Sequence, residues 1–297
     1  MKYLSVSQVA KKWKLSERSV RNYCFQGRIS GAFIEGKTWK IPKEATKPNR
    51  LNKKVNAPIT LLDILRIEKK SKLSGGIYHK IQIELTYNSN HIEGSCLTHD
   101  ETRYIFETNT IGIYKKTINV DDIIETVNHF KCIDMIIDNA NKNISEKLIK
   151  NLHKILKNST SDTRKDWFAV GGEYKKLPNT VGDILTAQPD EVEKKMKKLI
   201  TQYNAKKTKS LDDLLDFHYK FECIHPFQDG NGRIGRLLLF KECLKYNIVP
   251  FIIDEYLKLF YYRGLKEWEN ERGFLRETCL MAQDKFKIYL NYFKIKY

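Results

Sequence analysis

From about residue 60 to the end of the chain, apolar residues recur three and four positions apart, the spacing of one face of an α-helix. The interval 172–182 differs, because glycines and a proline surround short β-prone pieces there, which predicts a β-hairpin. We therefore expect a mainly α region with one hairpin. The predicted helices are Leu61–Lys72, Tyr78–Ile92, Asp100–Thr108, Val120–Ala140, Ser145–Leu156, Asp190–Tyr203, Leu211–Ile224, Arg233–Lys245, Asp254–Glu269 and Phe274–Phe293.

The first 47 residues follow another pattern. Ser5 and Ser16 each precede a short segment with helical apolar spacing, as helix N-cap residues do. Ala32–Ile34 and Thr38–Ile41 flank a Glu-Gly pair, which predicts two strands joined by a tight turn. Two short helices followed by a basic hairpin predict a helix-turn-helix with a wing.

The segment after this hairpin is polar, contains Pro48 and Pro58, and lacks apolar periodicity, which predicts a linker. The predicted organisation is a winged helix-turn-helix domain at 1–47, a linker at 48–59 and a helical domain at 60–297.

Positive charge is concentrated at the N-terminus. The formal net charge is +17, and residues 1–54 contain 14 basic and 3 acidic residues, a net +11. Such asymmetry indicates an anionic partner for this region, nucleic acid above all.

Tyr3 to Pro42 resembles the excisionase/MerR-like winged helix-turn-helix class. The resemblance implies that the second helix enters the major groove of DNA and that the wing contacts phosphate. Some modules of this class bind proteins instead, so a protein partner is the alternative. The implied DNA-contacting residues are Arg18, Ser19, Arg21 and Asn22 of the helix and Lys37 and Lys40 of the wing.

The segment 224–236, Ile-His-Pro-Phe-Gln-Asp-Gly-Asn-Gly-Arg-Ile-Gly-Arg, carries the most chemistry. Gly230, Asn231 and Gly232 tolerate positive φ angles and come just before a predicted helix, so their N–H groups predict a phosphate site.

Charged and ionisable side chains surround this turn. Arg233 and Arg236 are three residues apart on one helix face, where two guanidinium groups can pair with neighbouring phosphoryl oxygens. Asp229 offers the oxygen ligand that Mg²⁺ prefers. His225 has an ordinary pKa near neutrality, which suits a general base.

The whole segment resembles the signature of the Fic (filamentation-induced-by-cAMP) family, and every fixed position of that signature is filled. The resemblance implies an enzyme that moves AMP from ATP to a protein hydroxyl and releases pyrophosphate. It implies that His225 deprotonates a target Tyr, Ser or Thr, and that Asp229 holds Mg²⁺. The turn Gly230–Gly232, Arg233 and Arg236 would bind phosphate, in a reaction governed by positioning and charge.

Ser89, Glu93 and Gly94 match the inhibitory motif of the same family, on a predicted helix near 78–94. The resemblance implies a salt bridge from Glu93 to Arg236, which denies this arginine to the γ-phosphate.

The predicted hairpin resembles the Fic flap, which receives the backbone of the target by strand pairing. The implied docking residues are Tyr174, Lys175, Lys176 and Leu177, and Val181 and Gly182 would lie near the nucleotide.

Tyr261 and Tyr262 resemble a pair that lines the nucleotide base in the family. Relatives place an asparagine seven residues after the second tyrosine, where this chain has Glu269. The identity of the nucleotide therefore stays open, and nucleotides other than ATP are alternatives.

Glu125 and the pair His218 and Glu222 are interpreted as core or supporting residues.

Six scattered cysteines without a Cys-x-x-Cys pair indicate reduced thiols rather than a disulfide frame or zinc site. No apolar run approaches the length of a membrane span, and the N-terminus lacks a signal-peptide core. We expect a cytoplasmic protein without a membrane partner.

The leading hypothesis is an autoinhibited AMP-transferase with a Fic-type helical core, a flap hairpin and a DNA-binding domain. One alternative is a hydrolase that removes AMP while Glu93 is engaged. Another is a DNA-binding regulator whose Fic fold senses nucleotide. The target protein, the chain itself included, the DNA site and the oligomeric state, a homodimer included, stay open.

Overall fold

The computed structural model of the protein describes residues 2–25, 27–36, 38–48, 59–112, 117–165, 171–181 and 184–297. The chain forms two compact units, Met1–Pro58 and Ile59–Tyr297. Lys37, Gly182 and most of the predicted linker lie outside the described residues.

The N-terminal unit contains two helices and a small antiparallel sheet. Ser5 caps the first helix, and its hydroxyl accepts a hydrogen bond from the N–H of Gln8. Val9, Val20 and Ile41 are buried between the helices and the sheet. The strand at Tyr3–Leu4 has no counterpart in the sequence prediction, because two residues are too few to show a period. The elements are β1 (Tyr3–Leu4), α1 (Val6–Trp13), α2 (Glu17–Phe25), β2 (Phe33–Glu35) and β3 (Thr38–Pro42), in the sheet order β1-β3-β2.

The second unit is mainly helical, as the apolar spacing predicts, and each predicted helix has a counterpart whose ends differ by three residues at most. A 3₁₀ turn at Ser161–Arg164 and the hairpin β4 (Thr180–Val181) and β5 (Ile184–Leu185) interrupt the helices. None of the helices among the described residues is both long and apolar enough to cross a membrane. The helices are α3 (Leu61–Ser71), α4 (Ile77–Ile92), α5 (His99–Thr108), α6 (Val120–Asp138), α7 (Glu146–Leu156), α8 (Pro189–Ala205), α9 (Leu211–Ile224), α10 (Asn231–Tyr246), α11 (Glu255–Lys266) and α12 (Gly273–Tyr292).

Helix α10 is the centre of this unit. Nearly all of its residues from Asn231 to Leu244 are buried, and it packs against α4, α6, α7 and α9. Ile234, Leu237 and Leu238 are completely enclosed. Full burial of such a side chain contributes about 1.5–3 kcal/mol, so the position of α10 is strongly fixed.

The hairpin lies further along the chain than the pattern over 172–182 predicts. Its strands pair at Thr180–Val181 with Ile184–Leu185, whereas Tyr174 and Lys175 belong to no strand. The Tyr174 hydroxyl donates to Glu146 at 3.0 Å, and Lys175 is buried. These contacts hold Tyr174 and Lys175 against the helical core.

Several ionisable groups are buried in the helical core. Burial lowers the pKa of His129 and His218 to about 3, and that of His153 and His225 to about 4. Burial raises the pKa of Glu222 to about 8. At neutral pH all five groups are therefore uncharged, and the uncharged form has the lower free energy inside a core.

We expect the free energy of unfolding to be highest near pH 7. As the pH falls from there toward 4.5, the unfolded chain binds protons on four histidines that the folded core keeps neutral, so stability falls. As the pH rises from 7 to 8, the folded chain retains the Glu222 proton that the unfolded chain has released, so Glu222 lowers stability by about 1 kcal/mol, partly offset by the last protons that the unfolded histidines release.

Denaturant titrations of the native chain and of Glu222→Gln at pH 5, 7 and 8, followed by circular dichroism, measure the free energy of unfolding on both sides of the maximum. Between pH 7 and 8 the native chain should lose about 1 kcal/mol relative to Glu222→Gln, whereas both should lose stability between pH 7 and 5. An identical change from pH 7 to 8 in the two proteins would contradict the prediction.

Candidate functional site

The turn between α9 and α10 is held in one conformation. Gly230 is the N-cap residue of α10 and has a φ of 81°, which a glycine adopts without strain. Asn231 accepts a hydrogen bond from the Phe227 N–H and donates one to the Phe227 carbonyl, both at 2.8 Å. Asn231 and Gly232 already belong to α10, so of the three turn residues only Gly230 has the positive φ angle expected from the sequence.

Phe227 anchors the turn in the hydrophobic core. Its ring is fully buried and stacks on the His153 ring at a centroid distance of 3.9 Å. His153 Nδ1 accepts from the Gly172 N–H at 2.9 Å, so Nε2 carries the proton and donates to the Asp229 carbonyl at 3.0 Å. Sequence reasoning missed His153, although it occupies the apolar face of α7.

The Asp229 carboxylate is paired with two cations. Its Oδ2 accepts from Lys157 Nζ at 2.7 Å and from Arg233 Nη2 at 3.1 Å. Burial opposes ionisation, but Arg233 and Lys157 outweigh it and hold the pKa of Asp229 well below its usual range. The aspartate side chain keeps 45% of its surface exposed, so a ligand can still reach it.

Arg233 points into the protein rather than along one face with Arg236. Its guanidinium pairs with Glu125 of α6 as well as with Asp229. We expected Arg233 and Arg236 to bind neighbouring phosphoryl oxygens from one helix face. In this conformation the two guanidinium groups instead pair with different carboxylates. Glu125, interpreted from the sequence as structural, lies beside the functional turn.

Arg236 binds the end of α4. Its Nε donates to Ser89 Oγ at 3.0 Å, and its Nη2 donates to the Ser89 carbonyl at 2.9 Å and to Glu93 Oε1 at 2.6 Å. A Cβ placed on Gly232 would lie 2.4 Å from Glu93 Oε1. The Glu93 carboxylate thus lies directly against the first turn of α10, where backbone N–H groups favour an anion.

His225 is the C-cap residue of α9, with its side chain 17% exposed. Burial, assisted by the Lys175 charge, lowers its pKa to about 4, so the imidazole is neutral at physiological pH. Its Nδ1 lies 3.9 Å from Glu222 Oε2, and His218 Nε2 is 2.7 Å from the Tyr261 hydroxyl. A neutral imidazole close to an anion site is able to accept a proton.

The residues predicted to dock a target divide into two groups. Lys175 Nζ donates to Asn179 Oδ1 and Thr186 Oγ1, both at 2.6 Å, and the Lys175 N–H donates to the Pro226 carbonyl at 2.9 Å. Lys175 and Tyr174 are therefore part of the framework that supports the 225–230 turn. Lys176 and Leu177 are exposed, as a docking role requires.

The two tyrosines predicted to line the nucleotide base differ in exposure. Tyr261 is buried in the core, whereas Tyr262 is 39% exposed and reaches the surface. Tyr261 instead lines an internal cavity together with Ser89 and Arg236. Val181 is exposed on the hairpin, and Gly182 lies outside the described residues.

The predicted DNA-contacting residues of the N-terminal unit differ in exposure, and Lys37 lies outside the described residues. Arg18, Arg21 and Asn22 are exposed on α2, and Ser19 is half-buried. Lys40 on β3 is paired with Glu35 at 3.1 Å.

Comparison with known proteins gives this geometry a family context. The sequence profile of the Fic/DOC family matches residues 143–242. The chain is 29% identical over 236 residues to the protein adenylyltransferase Fic of Drosophila mojavensis, covering 76% of this chain and 43% of that protein. It is 26% identical over 210 residues to the protein adenylyltransferase Fic of Nematostella vectensis, covering 69% and 48%. The chain spans less than half the length of these curated relatives.

Solved structures share the fold. A Fic domain containing signaling protein from Bacteroides thetaiotaomicron superposes with a TM-score of 0.58 at 26% identity, covering 78% of this chain and 90% of that chain. Fic-1 from C. elegans superposes with a TM-score of 0.60 at 21% identity, covering 77% and 69%, which shows the fold alone. The sequence profile, the curated relatives and the fold agree in giving residues 143–242 a likeness to the Fic/DOC family domain.

Proposed function

We propose that the helical unit is a protein adenylyltransferase that transfers AMP from ATP to a protein Tyr, Ser or Thr hydroxyl and that Glu93 holds it inactive. The observation that carries the proposal is the convergence of His225, Asp229 and the N-terminus of α10 on one turn, with the Glu93 carboxylate against Arg236. The curated relatives named protein adenylyltransferase Fic support the same activity.

In the proposed reaction, His225 takes the proton of the acceptor hydroxyl, and the hydroxyl oxygen forms a bond to the α-phosphorus. The bond from this phosphorus to the α,β-bridging oxygen breaks, and pyrophosphate leaves. A weak base suffices, because the transition state of phosphoryl transfer is loose and places little demand on the nucleophile. With a pKa of about 4, His225 remains in the basic form across the physiological range.

Asp229 fits the Mg²⁺ that this activity uses. The carboxylate is ionised, nearly half exposed, and contacted by both neighbouring cations through one oxygen, Oδ2. Bound there with the nucleotide, Mg²⁺ would neutralise phosphate charge. The N–H groups at the start of α10 would contact the phosphates.

Autoinhibition follows from a competition for Arg236. The guanidinium is buried and already has Ser89 and Glu93 as partners, and Glu93 also covers Gly232. A γ-phosphate needs the same guanidinium and the same helix N-terminus. Two anions cannot share one partly dehydrated site, so nucleotide binds productively only when Glu93 withdraws.

We further propose that the N-terminal unit binds DNA. Arg18, Arg21 and Asn22 form an exposed polar face on α2, and the surrounding sequence carries a strong positive excess. A helix with such a face, next to a two-stranded hairpin, suits insertion into the major groove.

In the Glu93→Gly background, where the proposed inhibition is absent, substitution of His225 by asparagine should lower AMP transfer by about 10²–10⁴-fold, the usual contribution of a general base. Asparagine is chosen because residue 225 has a φ of 50°, a left-handed conformation that asparagine tolerates better than alanine. Radiolabel transfer from α-labelled ATP gives the rate. His99→Asn in the same background, at a half-buried histidine of α5 that pairs with Glu84, is the control and should keep the activity of its parent. A His225→Asn enzyme with more than a tenth of the parent activity would rule out the base.

Replacement of Glu93 by glycine should raise transfer at least about tenfold, equivalent to about 1.4 kcal/mol, because Arg236 becomes available to the γ-phosphate. The same assay with ATP and UTP tests nucleotide choice. Glu255→Gly, at an exposed carboxylate paired with His91, controls for loss of negative charge. If Glu93→Gly leaves transfer unchanged but abolishes removal of AMP from a pre-modified target, Glu93 serves a hydrolase instead.

Substitution of Arg21 by glutamate in the full chain should weaken duplex DNA binding, and binding by the native chain should fall steeply with salt as condensed counterions are released. Fluorescence anisotropy at two salt concentrations measures both effects. Arg103→Glu, the same charge reversal on α5, should change little. Absence of low-salt binding by a folded native chain would favour a protein partner for this unit.

A further inference from the structure

Lys157 is enclosed by carboxylates from three separate elements. Its Nζ lies 2.5 Å from Glu125 Oε1 of α6, 2.7 Å from Asp162 Oδ2 of the 3₁₀ turn, and 2.7 Å from Asp229 Oδ2 of the functional turn. The lysine side chain is only 2% exposed. One oxygen from each carboxylate lies within 4.8 Å of the other two, a spacing that suits the ligands of a single cation.

The position of Lys157 follows from the helix that carries it. Lys157 is the C-cap residue of α7, directly after the buried Leu156, and it continues the apolar face on which His153 lies. A lysine in this register is held inside the protein, so its ammonium must find buried partners.

Lys157 also alters the charge of this cluster. Three carboxylates and Arg233 together carry two net negative charges, which would attract a divalent cation. The Lys157 ammonium reduces this to one negative charge and takes the place where such a cation would be bound. Lys157 and Arg233 both donate to the same oxygen of Asp229, Oδ2. These two hydrogen bonds fix the orientation of the carboxylate.

We propose that Lys157 is a built-in cation that orients Asp229 and prevents the Glu125–Asp162–Asp229 cluster from capturing a divalent metal ion by itself. A divalent ion is then retained at Asp229 only together with nucleotide phosphates, which supply the missing negative ligands. Lys157 is a positioning residue in this scheme, since it acts through Asp229. The catalytic consequence rests on the proposed transferase activity, whereas the metal-binding consequence does not.

The test measures Mn²⁺ binding to the full chain without nucleotide, by electron paramagnetic resonance. Lys157→Met removes the ammonium and keeps the length of the side chain. We expect Mn²⁺ to bind at least about tenfold more tightly than to the native chain, because a nearby positive charge is lost from a site of low dielectric. Mn²⁺ should also raise the melting temperature of the variant but not that of the native chain.

Lys165→Met is the matched control. Lys165 Nζ contacts the same aspartate, Asp162, at 2.7 Å, but the lysine is 44% exposed, so its charge is screened by water. This variant should bind Mn²⁺ as the native chain does. Lys157→Met combined with Glu125→Gln should bind Mn²⁺ more weakly than Lys157→Met alone, because one ligand of the cluster is removed.

A second variant keeps the test decisive if three unpaired carboxylates prevent folding. Lys157→Met with Asp162→Asn removes one charge of each sign and leaves Glu125 and Asp229 for the metal. Tighter Mn²⁺ binding by this variant than by the native chain supports the proposal. Native-like Mn²⁺ binding by a folded variant overturns it and makes Lys157 an ordinary structural lysine.

Transfer assays in the Glu93→Gly background then separate the two proposals. Lys157→Met should lower kcat and shift the Mg²⁺ dependence of transfer to lower concentrations. Stronger Mn²⁺ binding in a chain whose Glu93→Gly form transfers no nucleotide would refute the proposed function and leave the role of Lys157 intact.

Discussion

Two guanidinium groups are buried at the start of α10, and each needs an anionic partner. Removal of one partner from a buried ion pair costs about 3–5 kcal/mol, because the other charge is left uncompensated. Arg236 therefore binds the end of α4 through Ser89 and Glu93, and Arg233 binds α6 through Glu125. The contacts that neutralise the two arginines are also the contacts that assemble the site.

The same requirement bears on the proposed inhibition. Glu93 satisfies the charge of Arg236 in this structure, so the arrangement proposed to be inactive is also the electrostatically complete one. A nucleotide has to provide an equivalent anion before Glu93 can leave without a penalty. Regulation of the proposed activity is thus a choice between two anions for one guanidinium, and α4, which carries both Ser89 and Glu93, is the element on which a signal would act.

Around the charged turn lies a set of neutral ionisable groups. His153, His218, His225 and Glu222 are buried in their uncharged forms, which allows histidines to accept and donate single hydrogen bonds without introducing charge. His153 uses both ring nitrogens, one to accept from the Gly172 N–H and one to donate to the Asp229 carbonyl. Neutral groups such as His153 therefore support the turn from the core, and the ion pairs of Asp229 support it as well.

The sequence by itself determined the helical character of the chain, the limits of its helices to within three residues, and the turn that bears His225 and Asp229. These features are local: apolar spacing, capping residues and the glycine-rich segment each act over a few positions. The pairing of Glu93 with Arg236 was also accessible from the sequence, but only through the family motif.

Only the tertiary structure decided which distant groups meet. Lys157 and Asp229 are 72 residues apart and Glu125 and Arg233 are 108 residues apart, and no local pattern records such contacts. The hairpin was misplaced by several residues for a related reason, since the burial of Lys175 depends on Asn179, Thr186 and the 225–230 turn. The sequence already shows Lys157 following the apolar face of α7. Its role became apparent only from the three carboxylates that the fold places around it.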